Sequence, residues 1–205
     1  MTDQERQIES QKAPFDAIFP RLVNRDDTGH KLIGFIAFGS MVCEGTMFDW
    51  SGVYFLKVIK TSAHLRSLGY ISFMSAMATG RFLGDKLITK FGAKKVLQIS
   101  GIVIASGLLL AVILPTIVTA TVGFLLVGFG VSSVVPLCYA MAGKSKKMAP
   151  SLAIATVSSI GFIGFLMGPP LIGYIAQASS LRISFTVIAC LGASIYFMAP
   201  RLREA

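Results

Sequence analysis

The chain has 205 residues, of which 54% are hydrophobic and 14% charged, with a net charge of +9 at pH 7. Soluble domains carry about 25% charged residues because their surface must be wet, so this composition excludes an ordinary water-soluble domain. The basic excess does not point to nucleic acid either: the lysines and arginines sit in short stretches between apolar runs, as in the cytoplasmic loops of a membrane protein.

Residues 1–31 hold six of the ten acids, and beyond them only Glu44, Asp49, Asp85 and Glu204 remain. The acid-rich start lacks a continuous apolar core, so no secretory signal peptide is expected there. Phe15, Ile18, Phe19 and Leu22 fall at helical spacing, which suits a helix lying on the cytoplasmic surface. Pro20 interrupts that pattern, and a partly ordered linker fits equally well.

A bilayer core of about 30 Å takes about 20 apolar residues in helical form. Six runs meet that length, at 32–56, 67–84, 95–114, 117–142, 150–176 and 182–200. Unpaired backbone groups are untenable in lipid, so each run reads as a helix. The expected organisation is a cytoplasmic segment at 1–31, a six-helix transmembrane bundle at 32–200 and a cytoplasmic tail at 201–205. Pro115 and Thr116 form nearly all of one connection, which makes the third and fourth helices a tight antiparallel hairpin.

Basic residues set the orientation. Arg21, Arg25, Lys31, Lys86, Lys90, Lys94, Lys95, Lys144, Lys146, Lys147, Arg201 and Arg203 collect on one side, against Lys57, Lys60, Arg66 and Arg182 on the other. Twelve against four puts both termini in the cytoplasm. The first and fourth runs are rich in Gly and Ser, the second and fifth carry polar residues on a face, and the third and sixth are nearly uniformly apolar. That is the pattern of a 3+3 internal repeat, as in secondary transporters.

Few residues carry candidate chemistry. Glu44 is near the middle of the first run, where a carboxylate costs roughly 2.5–3.5 kcal/mol unless it is neutralised, paired or wet. It therefore faces a cavity or another helix. A proton carrier and a carboxyl that locks helices together both fit. Asp49 and Trp50 lie nearer the outer end. Ser72, Ser75 and Thr79 fall at i, i+3 and i+7, one polar stripe that serves either an aqueous path or helix packing. Arg81 and Asp85 stand at i,i+4, a spacing that suits an ion pair. Cys43, Cys138 and Cys190 lie in apolar runs with neither disulfide nor metal spacing, so they read as small buried hydrophobes. His30 and His64 are both in loops, which gives no Ser-His pair and no metal site, and no P-loop is present. Leu83-Gly84-Asp85 is similar to a motif of aspartyl intramembrane proteases, but Phe82 stands where that motif has a glycine. Neither an enzyme nor a cofactor is expected.

The stretch Gly80-Arg81-Phe82-Leu83-Gly84-Asp85-Lys86, followed by Gly92, Lys94 and Lys95, resembles the cytoplasmic signature of the major facilitator superfamily, G-x-x-x-D-R/K-x-G-R/K-R/K. It has Arg81 at the first glycine position and a longer Asp85-to-Gly92 spacing, as suits the weaker second copy of the signature, between the eighth and ninth helices. The run Gly161 to Tyr174, with its Gly168-Pro169-Pro170 break, resembles the eleventh helix. Gly128 to Pro136, with Ser132 and Ser133, resembles the tenth. Glu44-Gly45-Thr46-Met47-Phe48-Asp49-Trp50-Ser51 is similar to a seventh-helix segment of the bacterial fucose-permease and rhizopine-transporter-like branch.

This resemblance covers residues 31–200. It implies an all-α half bundle, helices seven to twelve of a twelve-helix transporter. The runs at 32–56, 67–84, 117–142 and 150–176 would line a central cavity, and the other two would face outward. Glu44, Asp49, Trp50, Ser72, Ser75, Thr79, Ser132 and Ser133 would belong to the solute or proton pathway, and Pro136 to a helix break. Arg81, Gly84, Asp85, Lys86, Gly92, Lys94 and Lys95 would form a gating motif, with Asp85 meeting the start of the eleventh helix near Pro150 and Ser151. The function implied is transport of a small polar, sugar-like solute, coupled to protons, across the bacterial inner membrane. The partners implied are the lipid bilayer, the solute, and an N-terminal six-helix half or a second copy, since one half bundle has half a cavity. A non-transporting membrane scaffold is the alternative.

Overall fold

The structure is a computed structural model and describes residues 28–144 and 149–202. The proposed surface helix at 15–22 and the residues Arg21, Arg25, Lys146, Lys147 and Arg203 lie outside this range.

The described residues are almost entirely helical. The helices are α1 (Thr28–Lys57), α2 (Leu68–Phe91), α3 (Ala93–Ile113), α4 (Ile117–Ser132), α5 (Val134–Gly143), α6 (Pro150–Ala178) and α7 (Leu181–Met198). Short 3-10 turns cover Ala63–Leu65 and Ala199–Arg201. Five stretches are long and apolar enough to cross a membrane: Lys31–Lys57, Ala93–Ile113, Ile117–Gly143, Pro150–Ala178 and Leu181–Arg201. α2 has 24 residues, about 36 Å at 1.5 Å per residue. It is long enough to span, but Arg81, Asp85, Lys86, Lys90 and its serines make it too polar to qualify on composition.

Three boundaries differ from the sequence reading. α2 runs to Phe91 and does not stop at Gly84. Residues 85–91 contain no Gly or Pro, and Leu87 and Ile88 pack against the core, so nothing ends the helix before Gly92. That glycine has φ +79°, a conformation that favours Gly, and its N–H caps the Ile88 carbonyl at 2.9 Å. The run at 117–142 is two helices, α4 and α5, meeting at Ser133. Pro136 occupies the first turn of α5, where a missing N–H is tolerated, and it leaves the Ser132 carbonyl without its usual donor. The expected Gly-Pro-Pro break, by contrast, is continuous helix: α6 passes through Gly168, Pro169 and Pro170 uninterrupted.

The α3–α4 connection is as tight as Pro115-Thr116 implied. Thr116 caps α4 by accepting from the Thr119 N–H at 3.2 Å, and the Thr119 hydroxyl is reciprocally bonded to the Thr116 N–H. This is a capping box with Thr in place of Glu.

α1 packs chiefly on α6, α2 on α4, α3 on α4 and α7. The closest seams run through small residues, which let backbones approach in a bilayer. A Cβ at Gly45 would stand 2.5 Å from the Phe165 carbonyl oxygen, and one at Gly164 would stand 2.6 Å from that of Phe38. One end of the bundle is held by a fully buried aromatic group, in which the Tyr54 ring lies 4.5 Å from Phe185 and 5.7 Å from Phe124. The Tyr54 hydroxyl donates to the Ala111 carbonyl at 2.8 Å, so its polar tip is satisfied inside the core.

Candidate functional site

α2 and α6 both pack beside α1 but share no more than marginal contact with each other. The strip of α1 between them forms the floor of a groove, and the charged residue on that strip is Glu44. Its carboxylate Oε1 lies 3.7 Å from Nη2 of Arg81 on α2. The Glu44 side chain is 12% exposed and that of Arg81 56%, so the pair is sunk on the carboxylate side and wet on the guanidinium side. Arg81 also reaches the Met77 sulfur at 3.8 Å, one turn back on its own helix. The sequence paired Arg81 with Asp85 by spacing; the structure directs it across to α1. The carboxylate gains more from a cation than an exposed aspartate does, because its burial leaves less water to solvate it.

One turn further along α1, Phe48 lies against Tyr70 and Phe73 of α2 and Phe165 of α6, with centroid distances of 5.8, 6.0 and 5.8 Å. This aromatic node continues the Glu44 strip and bridges both groove walls. Sequence reasoning missed Phe48, Tyr70 and Phe165. Phe48 stands at i+4 from Glu44, the signal that would have placed it on the same face.

The remaining pathway residues are dispersed. Ser72 is buried and donates to the Leu68 and Gly69 carbonyls at 2.8 and 2.9 Å. Ser75 and Thr79 are exposed and donate to Ser72 and Ser75 carbonyls. All three hydroxyls are thus spent on their own helix. Asp49 is exposed, away from Glu44. Trp50 donates from Nε1 to the Pro169 carbonyl at 3.1 Å, tying α1 to α6. Pro169 has no N–H for the Phe165 carbonyl, and that carbonyl faces Gly45. Ser132 donates to the Phe129 carbonyl at 2.6 Å and lies 3.5 Å from the Ser133 hydroxyl.

Among the gating residues, Gly84 faces Ser133, where an added Cβ would stand 2.8 Å from its hydroxyl, and Gly80 faces Ser132 in the same way. Asp85 and Lys86 are exposed on the last turns of α2, and the Thr89 hydroxyl donates to the Asp85 backbone carbonyl. Asp85 and the first turn of α6 belong to helices that make no more than marginal contact with each other. Lys94 is half-buried and Lys95 exposed just past the Gly92 turn. Of the cysteines, Cys43 and Cys138 are buried, whereas Cys190 is exposed on the outer surface of α7, contrary to its expected burial.

These features define a helical membrane protein with a charged groove between two tightly seamed helix pairs. Residues 32–204 match the family model of the Major Facilitator Superfamily, and the chain belongs to that family of membrane transporters. It is 40% identical over 159 residues to an MFS-type transporter of Yersinia pestis, a match covering 78% of this chain and 41% of the relative. It is 34% identical over 178 residues to a transporter of Sinorhizobium fredii, covering 87% and 47%. It is 32% identical over 171 residues to the membrane protein MosC of Rhizobium meliloti, covering 81% and 42%. A solved structure of a variant of the Escherichia coli fucose:proton symporter matches with TM-score 0.80 and 17% identity, over 93% of this chain and 46% of that one, which establishes the fold. The chain spans less than half the length of each of these relatives.

Proposed function

We propose that this chain is the C-terminal six-helix half of a twelve-helix transporter that moves a small polar, sugar-like solute together with protons. The observation that carries the reading is the Glu44–Arg81 pair at 3.7 Å, a sunken carboxylate bridged to a wet cation on the floor of an open groove. A group of this kind inside a membrane bundle is expensive and marks a substrate or proton path. Protonation of Glu44 weakens its hold on Arg81 and frees the guanidinium for a polar solute, and this exchange couples the two.

In this reading α2 is the sixth span, and α1–α3 and α4–α7 are the two halves of a 3+3 repeat, with α4 and α5 together as one member. Packing supports it: α1 lies on α6 as α4 lies on α2, each seam lined by glycines, while α3 and α7 lie on each other. The residues before 32 are a cytoplasmic linker, and both termini face the cytoplasm at the inner membrane. The partner is an N-terminal six-helix half or a second copy. Asp85 would meet the start of α6 in another state of the transport cycle, shifting the balance of states.

The test is solute uptake by cells carrying the complete transporter with Glu44→Gln. The expected result is loss of proton-driven uptake, with solute exchange retained. Uptake that keeps its dependence on the proton gradient removes Glu44 from the mechanism.

A further inference from the structure

The end of the bundle opposite Gly92 holds a cleft of about 380 Å³ between the end of α1 and the α6–α7 connection, beyond Glu44 along α1. Its lining includes Trp50, Lys57, Lys60, Ser180 and Arg182. Three of the lining side chains are cations and none is an acid. Among the described residues, none of the three cations is held in an ion pair.

We propose that this cleft is an anion-binding site that takes the oxyanion head of a phosphate group, either free or carried by the headgroup of a net-anionic lipid. Three observations converge on it. First, the charge count assigns this end to the non-cytoplasmic side, where Lys and Arg are depleted. Lys57, Lys60 and Arg182 are three of only four cations there, and they gather round one cavity. Second, α7 starts at the rim. The Ser180 hydroxyl caps the Ile183 N–H at 3.3 Å, and the first-turn amides before it point their positive ends outward. Third, Lys60 has φ +59°, the only positive φ on a non-glycine residue among the described residues. Glycine is the usual occupant of such a helix-terminal position. The bend is held by the Thr61 N–H and hydroxyl, both donating to the Phe55 carbonyl at 3.1 and 3.0 Å. A lysine held in a glycine conformation, beside two more unpaired cations, is explained by the charge it brings to the cleft. The guanidinium of Arg182 supplies a bidentate fork for two oxygens, and the two ammonium groups supply point charges. Trp50, pinned by its bond to Pro169, closes the floor with an apolar ring.

The experiment reads binding, not transport, so its result is independent of the proposed function. The purified chain in neutral detergent is titrated with inorganic phosphate at constant ionic strength while its thermal unfolding is followed. In parallel, nanodiscs containing phosphatidylglycerol are compared with nanodiscs of phosphatidylcholine alone. A saturable stabilisation by phosphate supports a free oxyanion, and stabilisation by phosphatidylglycerol alone supports a lipid headgroup. In either case Lys60→Gly, which suits the backbone and removes the charge, is expected to weaken binding several-fold, and adding Lys57→Gln and Arg182→Gln at least tenfold. Arg182→Lys is expected to retain part of the binding. Absence of stabilisation in both arms, or a triple variant that binds as the unmodified chain does, overturns the proposal.

Discussion

The ion pair between α1 and α2 gives the sharpest energetic prediction. Two unit charges 3.7 Å apart attract by about 1 kcal/mol in a water-like dielectric and by about 4 kcal/mol at an effective dielectric of 20. Arg81 is more than half exposed, so solvent screening pulls the value toward the lower figure, and a coupling of about 1–2 kcal/mol follows. The two partners should not be equivalent. Arg81→Gln strands a carboxylate that is only 12% exposed, which costs about 2–3 kcal/mol, somewhat below the range for a fully buried pair. Glu44→Gln leaves a guanidinium that water can reach, and costs about 1 kcal/mol or less. The assay is a double-mutant cycle on reversible unfolding of the chain in mixed detergent micelles. Single-mutant effects that add to within about 0.3–0.5 kcal/mol show no coupling. That result, or a larger loss for Glu44→Gln than for Arg81→Gln, would refute the geometry argued for the groove.

Three further outcomes follow from local structure. Gly45→Ala should destabilise by about 1–3 kcal/mol, because its Cβ would press on the backbone carbonyl of Phe165; Gly84→Ala should cost clearly less, since the obstacle there is a rotatable Ser133 hydroxyl, and ranking the two by thermal unfolding checks both seams. Lys60→Gly should raise stability by about 0.5–1 kcal/mol by relieving a left-handed backbone, read as a higher unfolding midpoint in phosphate-free buffer. Thr116→Ala should lose about 1 kcal/mol by removing the cap of α4, seen as faster amide hydrogen exchange in its first turn.

Much of this architecture is legible from residue order. Long apolar runs have one physical solution in lipid, and that alone places the five spans that meet the length and composition test. Composition alone is least decisive for α2, since the arginine, aspartate, lysines and serines that make it interesting also lower its hydropathy. The end of α2 lies at Gly92, whose backbone only glycine suits, but the apolar run stopped at Gly84 and hid it. The partner of Arg81 was not. The i,i+4 rule sees one helix at a time, and Glu44 lies 37 positions earlier on another. The discontinuity at Ser133 was announced by Pro136 but displaced by three residues, since a proline is comfortable inside a first turn and the strain falls upstream. The same rule misled at Pro169-Pro170, where close packing on Gly45 and the bond from Trp50 keep α6 continuous. Phe48 was hidden among fifteen phenylalanines; only the positions of Tyr70 and Phe165 single it out.

The junction at Ser133 has a mechanical consequence. α4 is attached mainly to α2 and α3, while α5, the continuation of the same span, is attached mainly to α1 and α6. One rod therefore belongs to two bodies. Any rocking of the α1–α6 pair against the α2–α4 pair must be absorbed where the rod changes allegiance. That is a single residue, with no i,i+4 bond from Pro136 to stiffen it. Ser133 is therefore the point at which this span changes packing partners, and Gly84 of α2 lies against its hydroxyl there.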